Sequence, residues 1–201
     1  MNSAENSYNR YHEVLDRIRI LSVYLHAVSS VPFQFLYIGI MGKIVAVCGL
    51  PGSGKSYFAA RLAERLKAVY FSSDKIRREM FSQRTYSDAE KRDVYREMIR
   101  RAQAHVDQSI VFDATFYRND IRAMFNDAFP NLIWMMVSAD DDVIRERLAK
   151  PRTDSEADLR VHELIRSQWE PLEGEFLTLH STSDNIDDML DRAIQYLDHD
   201  R

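Results

Sequence analysis

Gly49-Leu50-Pro51-Gly52-Ser53-Gly54-Lys55-Ser56 packs three glycines, a lysine and a terminal hydroxyl into eight residues. The spacing is G-x-x-x-x-G-K-[ST], which suits a chain of phosphates. The glycines let the backbone bend tightly and approach an anion with no side chain in the way. Successive N–H groups and the start of a following helix then point at that anion. Lys55 can neutralise the terminal phosphates, and Ser56 can offer its hydroxyl to Mg²⁺. The flanks agree. Lys43–Cys48 is a short β-branched apolar run that reads as a buried strand. Tyr57–Leu66 sets Phe58, Leu62 and Leu66 on one stripe of a helix. The eight residues therefore read as a phosphate-binding loop between strand and helix, with ATP and Mg²⁺ as its ligands.

Two carboxylates could act beside such a loop. Asp113 ends the apolar run Ser109–Phe116, where a strand-end carboxylate could hold the metal or orient the nucleotide. Asp74 lies in Ser72-Ser73-Asp74-Lys75-Ile76-Arg77, at the start of a helix-like run. It could cap that helix, or take a proton from a hydroxyl being phosphorylated. None of Ser72, Ser73 and Asp74 has Glu or Gln three residues later, so no capping box is present. If Ser73 caps, Asp74 is the first helical residue and its carboxylate is spare. Arg77 stands three residues on, so the two share one side of the helix.

The elements needed to position these groups can be traced along the chain. Asn131–Asp140 reads as a further buried strand, and Phe176–His180 as another. A long helix over 88–106 would turn Val94, Met98, Ala102 and Val106 inward, leaving Arg96, Arg100 and Arg101 on a solvated face. A last helix would bury Ile186, Leu190, Ile194 and Leu197. Strands alternating with helices predict a three-layer α/β/α fold, its mostly parallel sheet of about five strands covered on both faces. Ligands of such sheets bind at the carboxyl ends of the strands, where Gly49, Asp74 and Asp113 fall. After the strand at 131–140, a short helix carries Arg145, Arg147, Lys150 and Arg152 and stops at Pro151. In small phosphotransferases such a helix forms a lid whose arginines stabilise the transferring phosphoryl group. Arg147 is the first choice for that role and Arg152 the second. The other reading is a basic helix end exposed to water.

Several function classes are excluded. Ala114 follows Asp113, where a hydrolysis motor commonly carries Glu, and neither an NKxD nor an LSGGQ segment occurs. The net charge is -4, so the chain as a whole is no polycation built for long nucleic acid. Its middle is mildly basic and its C-terminal part acidic. One cysteine, Cys48, allows no disulfide within the chain and fits a reducing cytoplasm. The six histidines have no metal-ligand spacing. Residues 1–40 differ from the rest: Val14, Ile18, Leu21 and Leu25 have helical spacing, and the apolar stretch after them is broken by Pro32 and Gln34. They read as an N-terminal extension to a domain over 41–201, with Met41 an alternative start, and no stable membrane association is expected.

The segments GLPGSGKS, SSDKIRREMF, VFDATFYRNDIR and RERLAKPRTDSEADLRV together resemble the P-loop kinases known as AAA-domain ATP-binding proteins. These are similar to the 5′-kinase domain of phage polynucleotide kinase and, more distantly, to zeta-toxin kinases. The resemblance covers residues 41–172. It implies that Asp74 is the acceptor-hydroxyl base and that Arg77 orients the acceptor or that aspartate. It implies that Asp113 is the aspartate of a D-x-T motif with Thr115 close behind, that Arg118 and Arg122 are basic positions on the following helix, and that Arg147 is a lid arginine. Pro151 departs from the pattern. The expected activity is transfer of the γ-phosphoryl of ATP to a hydroxyl of a small metabolite, a sugar or a nucleic-acid 5′ end. The alternative is a non-catalytic ATP-binding switch.

Overall fold

The structure is a computed structural model, and it describes residues 42–83, 85, 87–149 and 158–199. The expected extension over 1–40, Met41, Lys150, Pro151 and Arg152 lie outside the described residues. β1 (Ile44–Cys48) leads through the glycine-rich loop into α1 (Lys55–Leu66). Then follow β2 (Val69–Ser72), α2 (Ser73–Met80), α3 (Asp88–Ala102), β3 (Ile110–Asp113) and α4 (Asn119–Ala128). β4 (Leu132–Ser138), α5 (Asp141–Ala149), α6 (Leu159–Ser167), β5 (Phe176–His180) and α7 (Ile186–His199) complete the fold.

All five strands pair in parallel, in the order β2-β3-β1-β4-β5. β1 is buried along its whole length because both of its faces are covered. The alternation of the pleat sends Val45 and Val47 to one layer and Ile44, Ala46 and Cys48 to the other. The first layer packs on α1 and α7 through Phe58, Leu62, Met189 and Leu197. The second packs on α3 and α4 and is aromatic. Phe125 meets Phe112 and Phe116 edge-on at 5.0 and 4.9 Å, and Phe116 meets Trp134 at 5.1 Å. Among the described residues no helix is long and apolar enough to cross a membrane.

The register brings three strand ends side by side. Ser72 pairs with Asp113, and Asp113 pairs with Val47. Neighbouring parallel strands lie about 4.8 Å apart. Asp113 is thus the middle position, with the phosphate loop leaving the strand on one side and α2, which carries Asp74, leaving the strand on the other.

Some local expectations shift. α3 stops at Ala102 and tightens into a 3-10 turn at Gln103–His105, which changes the helical phase and leaves Val106 exposed. α7 is rotated slightly, burying Met189 and Ala193 beside Leu190 and Leu197 while Ile186 and Ile194 are half-buried. α2 begins at Ser73, and no side chain caps it. α6, which periodicity did not reveal, is capped by Asp158, whose carboxylate accepts from the Val161 N–H at 2.9 Å. Phe125 touches aromatic rings on three elements, so Phe125→Ala should cost about 3–5 kcal/mol. Urea unfolding measures this, and a loss below about 1 kcal/mol would contradict the packing described.

Candidate active site at the strand ends

The loop over 49–56 has the geometry its glycines allow. Gly54 sits just before α1 at φ 94°, a left-handed conformation, and no side chain caps the helix. A Cβ on Gly49 would lie 2.3 Å from the Val137 carbonyl oxygen, so only glycine lets the loop pass this close to β4. Among the described residues, no backbone carbonyl takes the N–H groups of Gly52, Gly54, Lys55 or Ser56. Those groups are the donors an anion needs. The Ser53 hydroxyl is buried with no partner among the described residues.

Asp113 is buried at the end of β3. The Tyr70 hydroxyl, from β2, donates to its Oδ2 at 2.7 Å, while its Oδ1 is buried and has no partner among the described residues. Burial pushes the Asp113 carboxyl above its ordinary range, opposed by the Lys55 ammonium, the Tyr70 hydroxyl and the Ser56 hydroxyl. Burial, then the neighbouring Asp113 charge, pushes the Tyr70 phenol upward, so it stays a proton donor. An orphan carboxylate oxygen beside a serine hydroxyl and a lysine is incomplete by itself. It fits Mg²⁺, which takes one or two hard oxygens from a protein and fills its octahedron with phosphate oxygens and water. Among the described residues no group of three or more His, Cys, Asp or Glu could hold a metal ion.

Asp74 lies in the first turn of α2, half-buried. Among the described residues its carboxylate takes no hydrogen bond and no ion pair; only its backbone carbonyl accepts, from Arg78. Its charge is close enough to act on both Asp113 and Tyr70. The capping reading of Asp74 therefore finds no bond, and the carboxylate lies within electrostatic reach of Asp113.

The arginines have more specific partners than spacing could reveal. Arg77 is buried, and its guanidinium donates to Glu90 of α3 at 2.9 Å. Glu90 also accepts from the Thr85 N–H and hydroxyl at 2.6 and 2.8 Å. Ser87-x-x-Glu90 is half a capping box: Ser87 accepts from the Glu90 N–H, but the Glu90 carboxylate serves Thr85 and Arg77 instead. Arg77 thus anchors α2, the helix that carries Asp74, to α3. Thr115 accepts the Gly49 N–H through its carbonyl at 3.4 Å, joining the loop after β3 to the phosphate loop.

Arg118 precedes α4 rather than lying on it, and pairs with Asp120 at 2.9 Å and Asp88 at 3.5 Å. Arg122 is buried and donates to the carbonyls of Phe116, Glu170 and Pro171 at 2.7, 2.8 and 2.7 Å. It staples a loop in which Phe116 holds a left-handed φ of 49°. Arg147 donates to the Gly52 and Ser53 carbonyls at 3.4 and 3.0 Å, and to Ser181 and Thr182. It lies on the carbonyl side of the phosphate loop, where the resemblance implied a reach over the phosphoryl group. Tyr70, Glu90 and His162 were not anticipated; only Glu90 had a readable sign, the S-x-x-E at the start of α3.

The sheet and the helices that cover it match known folds. A sugar kinase from Janibacter superposes with a TM-score of 0.61 at 19% identity, covering 78% of this chain and 95% of that one. The Mycobacterium tuberculosis APS kinase, solved with AMPPNP and APS, gives 0.62 at 18%, covering 79% and 98%. Chaetomium thermophilum Kti12, in complex with ADP-AlF3, gives 0.56 at 18%, covering 76% and 97%. No curated protein matches the sequence. The fold is that of the P-loop kinases. More particularly, a family model for an AAA domain matches residues 44–172, well over half of the chain, and the chain belongs to that family.

The raised Asp113 carboxyl carries a sign. Between the ordinary carboxylate pKa and the raised one, the folded protein holds a proton that the unfolded chain has lost, so stability falls as pH rises through that window. Asp113→Asn removes the buried charge. It should stabilise the nucleotide-free protein by about 1–3 kcal/mol at neutral pH, while abolishing the Mg²⁺ dependence of nucleotide binding. Thermal unfolding and binding titrations with and without Mg²⁺ measure both. A destabilised variant with unchanged Mg²⁺ dependence would refute the assignment.

Proposed function

We propose that this chain is an ATP-dependent phosphotransferase that moves the γ-phosphoryl of ATP to a hydroxyl of a small molecule, in the cytoplasm. The observation that carries the reading is the position of Asp113, beside Lys55 and Ser56 and in register with the strand that leads to Asp74. The loop N–H groups and Lys55 bind the donor phosphates. Bound between Ser56 and Asp113, Mg²⁺ would neutralise charge on the β and γ phosphates. Asp74 faces the acceptor side. The acceptor oxygen forms a bond to the γ-phosphorus as the β–γ bridging bond breaks, and ADP leaves. The acceptor proton passes to Asp74 late in a loose transition state, so much of Asp74's contribution is orientation. Arg77, held by Glu90, fixes the helix that presents Asp74. Arg118 and Thr115 lie on the loop after Asp113 and border the acceptor side, and Arg122 holds that loop. Arg147 holds the carbonyl side of the phosphate loop.

A small acceptor agrees with the net negative charge and with the names of two similar folds, a sugar kinase and an APS kinase. A nucleic-acid 5′-hydroxyl is the other acceptor to test. Labelled ATP with a panel of sugars, small alcohols and a 5′-hydroxyl oligonucleotide separates them. Asp74→Asn should keep ATP affinity within about twofold and lose on the order of 10²–10⁴ in transfer, whereas Lys55→Ala should weaken both. Full turnover by Asp74→Asn would remove the base assignment, and ATP hydrolysis with no acceptor dependence would make the protein a regulatory ATPase.

A further inference from the structure

The carbonyl side of the phosphate loop is satisfied as fully as its N–H side is left open. Five consecutive carbonyls each have a donor. The Ser53 N–H serves Leu50 and the Phe58 N–H serves Gly54, at 3.1 and 3.0 Å. Arg147 of α5 serves Gly52 and Ser53. The Pro51 carbonyl is taken by His162 of α6, whose Nδ1 lies 2.7 Å away. His162 is only 3% exposed. A carbonyl oxygen can only accept, so Nδ1 carries the ring proton.

A peptide unit is rigid and planar, so fixing its carbonyl fixes the N–H of the next residue. The Pro51 carbonyl shares its plane with the Gly52 N–H, and the Ser53 carbonyl shares its plane with the Gly54 N–H. His162 therefore aims the first of these open donors, and Arg147 the second. Gly52 is flexible backbone at φ 87°, so this plane needs an external hold. α6 is itself seated, through Arg166, on Asp141 of α5 at 3.0 Å. The two helices that hold the loop carbonyls are those on either side of residues 150–157.

We propose that His162 is a positioning residue for phosphate binding: its Nδ1–H holds the Pro51 carbonyl so that the Gly52 N–H stays aimed at the bound phosphate. This rests on the nucleotide-binding reading above. A merely space-filling histidine would predict something different, and two substitutions separate the roles. His162→Asn keeps an N–H donor near the Nδ1 position and loses ring volume. His162→Phe keeps the ring and loses the donor, leaving a buried carbonyl unpaired.

The experiment is calorimetric titration of the full chain with Mg·ATP, paired with backbone ¹⁵N relaxation of the nucleotide-free protein. His162→Phe should weaken Mg·ATP binding about tenfold, the scale of one buried unpaired carbonyl. His162→Asn should stay within about threefold of the parent. The Gly52 amide should be less ordered in the Phe variant and not in the Asn variant. Should the Phe variant not fold, His162→Leu takes its place. Parent-like Mg·ATP affinity in the Phe variant, or equal weakening in both, overturns the proposal. If the parent chain itself fails to bind Mg·ATP, the nucleotide reading falls. Order at the Gly52 amide then decides the positioning role alone: equal order in all three proteins overturns it, and selective loss of order in the Phe variant upholds it.

Discussion

A loop that binds phosphate with its backbone must leave its N–H groups without partners while every carbonyl it buries is satisfied. Helix and sheet cannot meet that demand, because their ladders use donors and acceptors together. In this chain the Ser53 N–H serves one acceptor within the loop, and the others are served from outside: by Arg147 on α5, by His162 on α6 and by the first turn of α1. β4 comes so close to Gly49 that no side chain fits between. Much of the C-terminal half of the domain is thus arranged around a strip of five peptide carbonyls.

The same economy governs Asp113. Its buried carboxylate is half-satisfied by Tyr70 and pushed toward protonation by burial, which is an unfavourable arrangement for a structural residue. It becomes intelligible when the missing partner is a cation brought in with the phosphates. The strand order then explains its neighbours. β3 lies between β1 and β2, so a single carboxylate separates the loop that holds the donor from the helix that carries Asp74. Arg77 and Glu90 anchor that helix from inside through a buried ion pair, which is costly to break.

The sequence made the local elements legible. Cys48, Asp113 and His180 end strands where apolar periodicity stops, and the glycine spacing marked the phosphate loop without reference to anything else. The insertion of β3 between β1 and β2 was not readable, because parallel pairing links segments far apart in the chain. The arginines were readable as positions but not as partners. Arg77, Arg122 and Arg147 all looked available to a ligand, since spacing places a guanidinium on a helix face and says nothing about which distant carboxylate or carbonyl waits there. Arg122 ended on carbonyls more than forty residues away in sequence. His162 gave no signal at all, because a single histidine in an unannounced helix has no pattern to belong to.

A crystal structure of the full chain with Mg²⁺ and AMPPNP would test the donor and acceptor assignments together. The account predicts phosphate oxygens on the N–H groups of Gly52, Gly54, Lys55 and Ser56. It predicts Mg²⁺ between the Ser56 hydroxyl and Asp113 Oδ1, directly or through one water, with the γ-phosphate turned toward Asp74. A metal remote from Asp113, or a γ-phosphate directed away from α2, would contradict it.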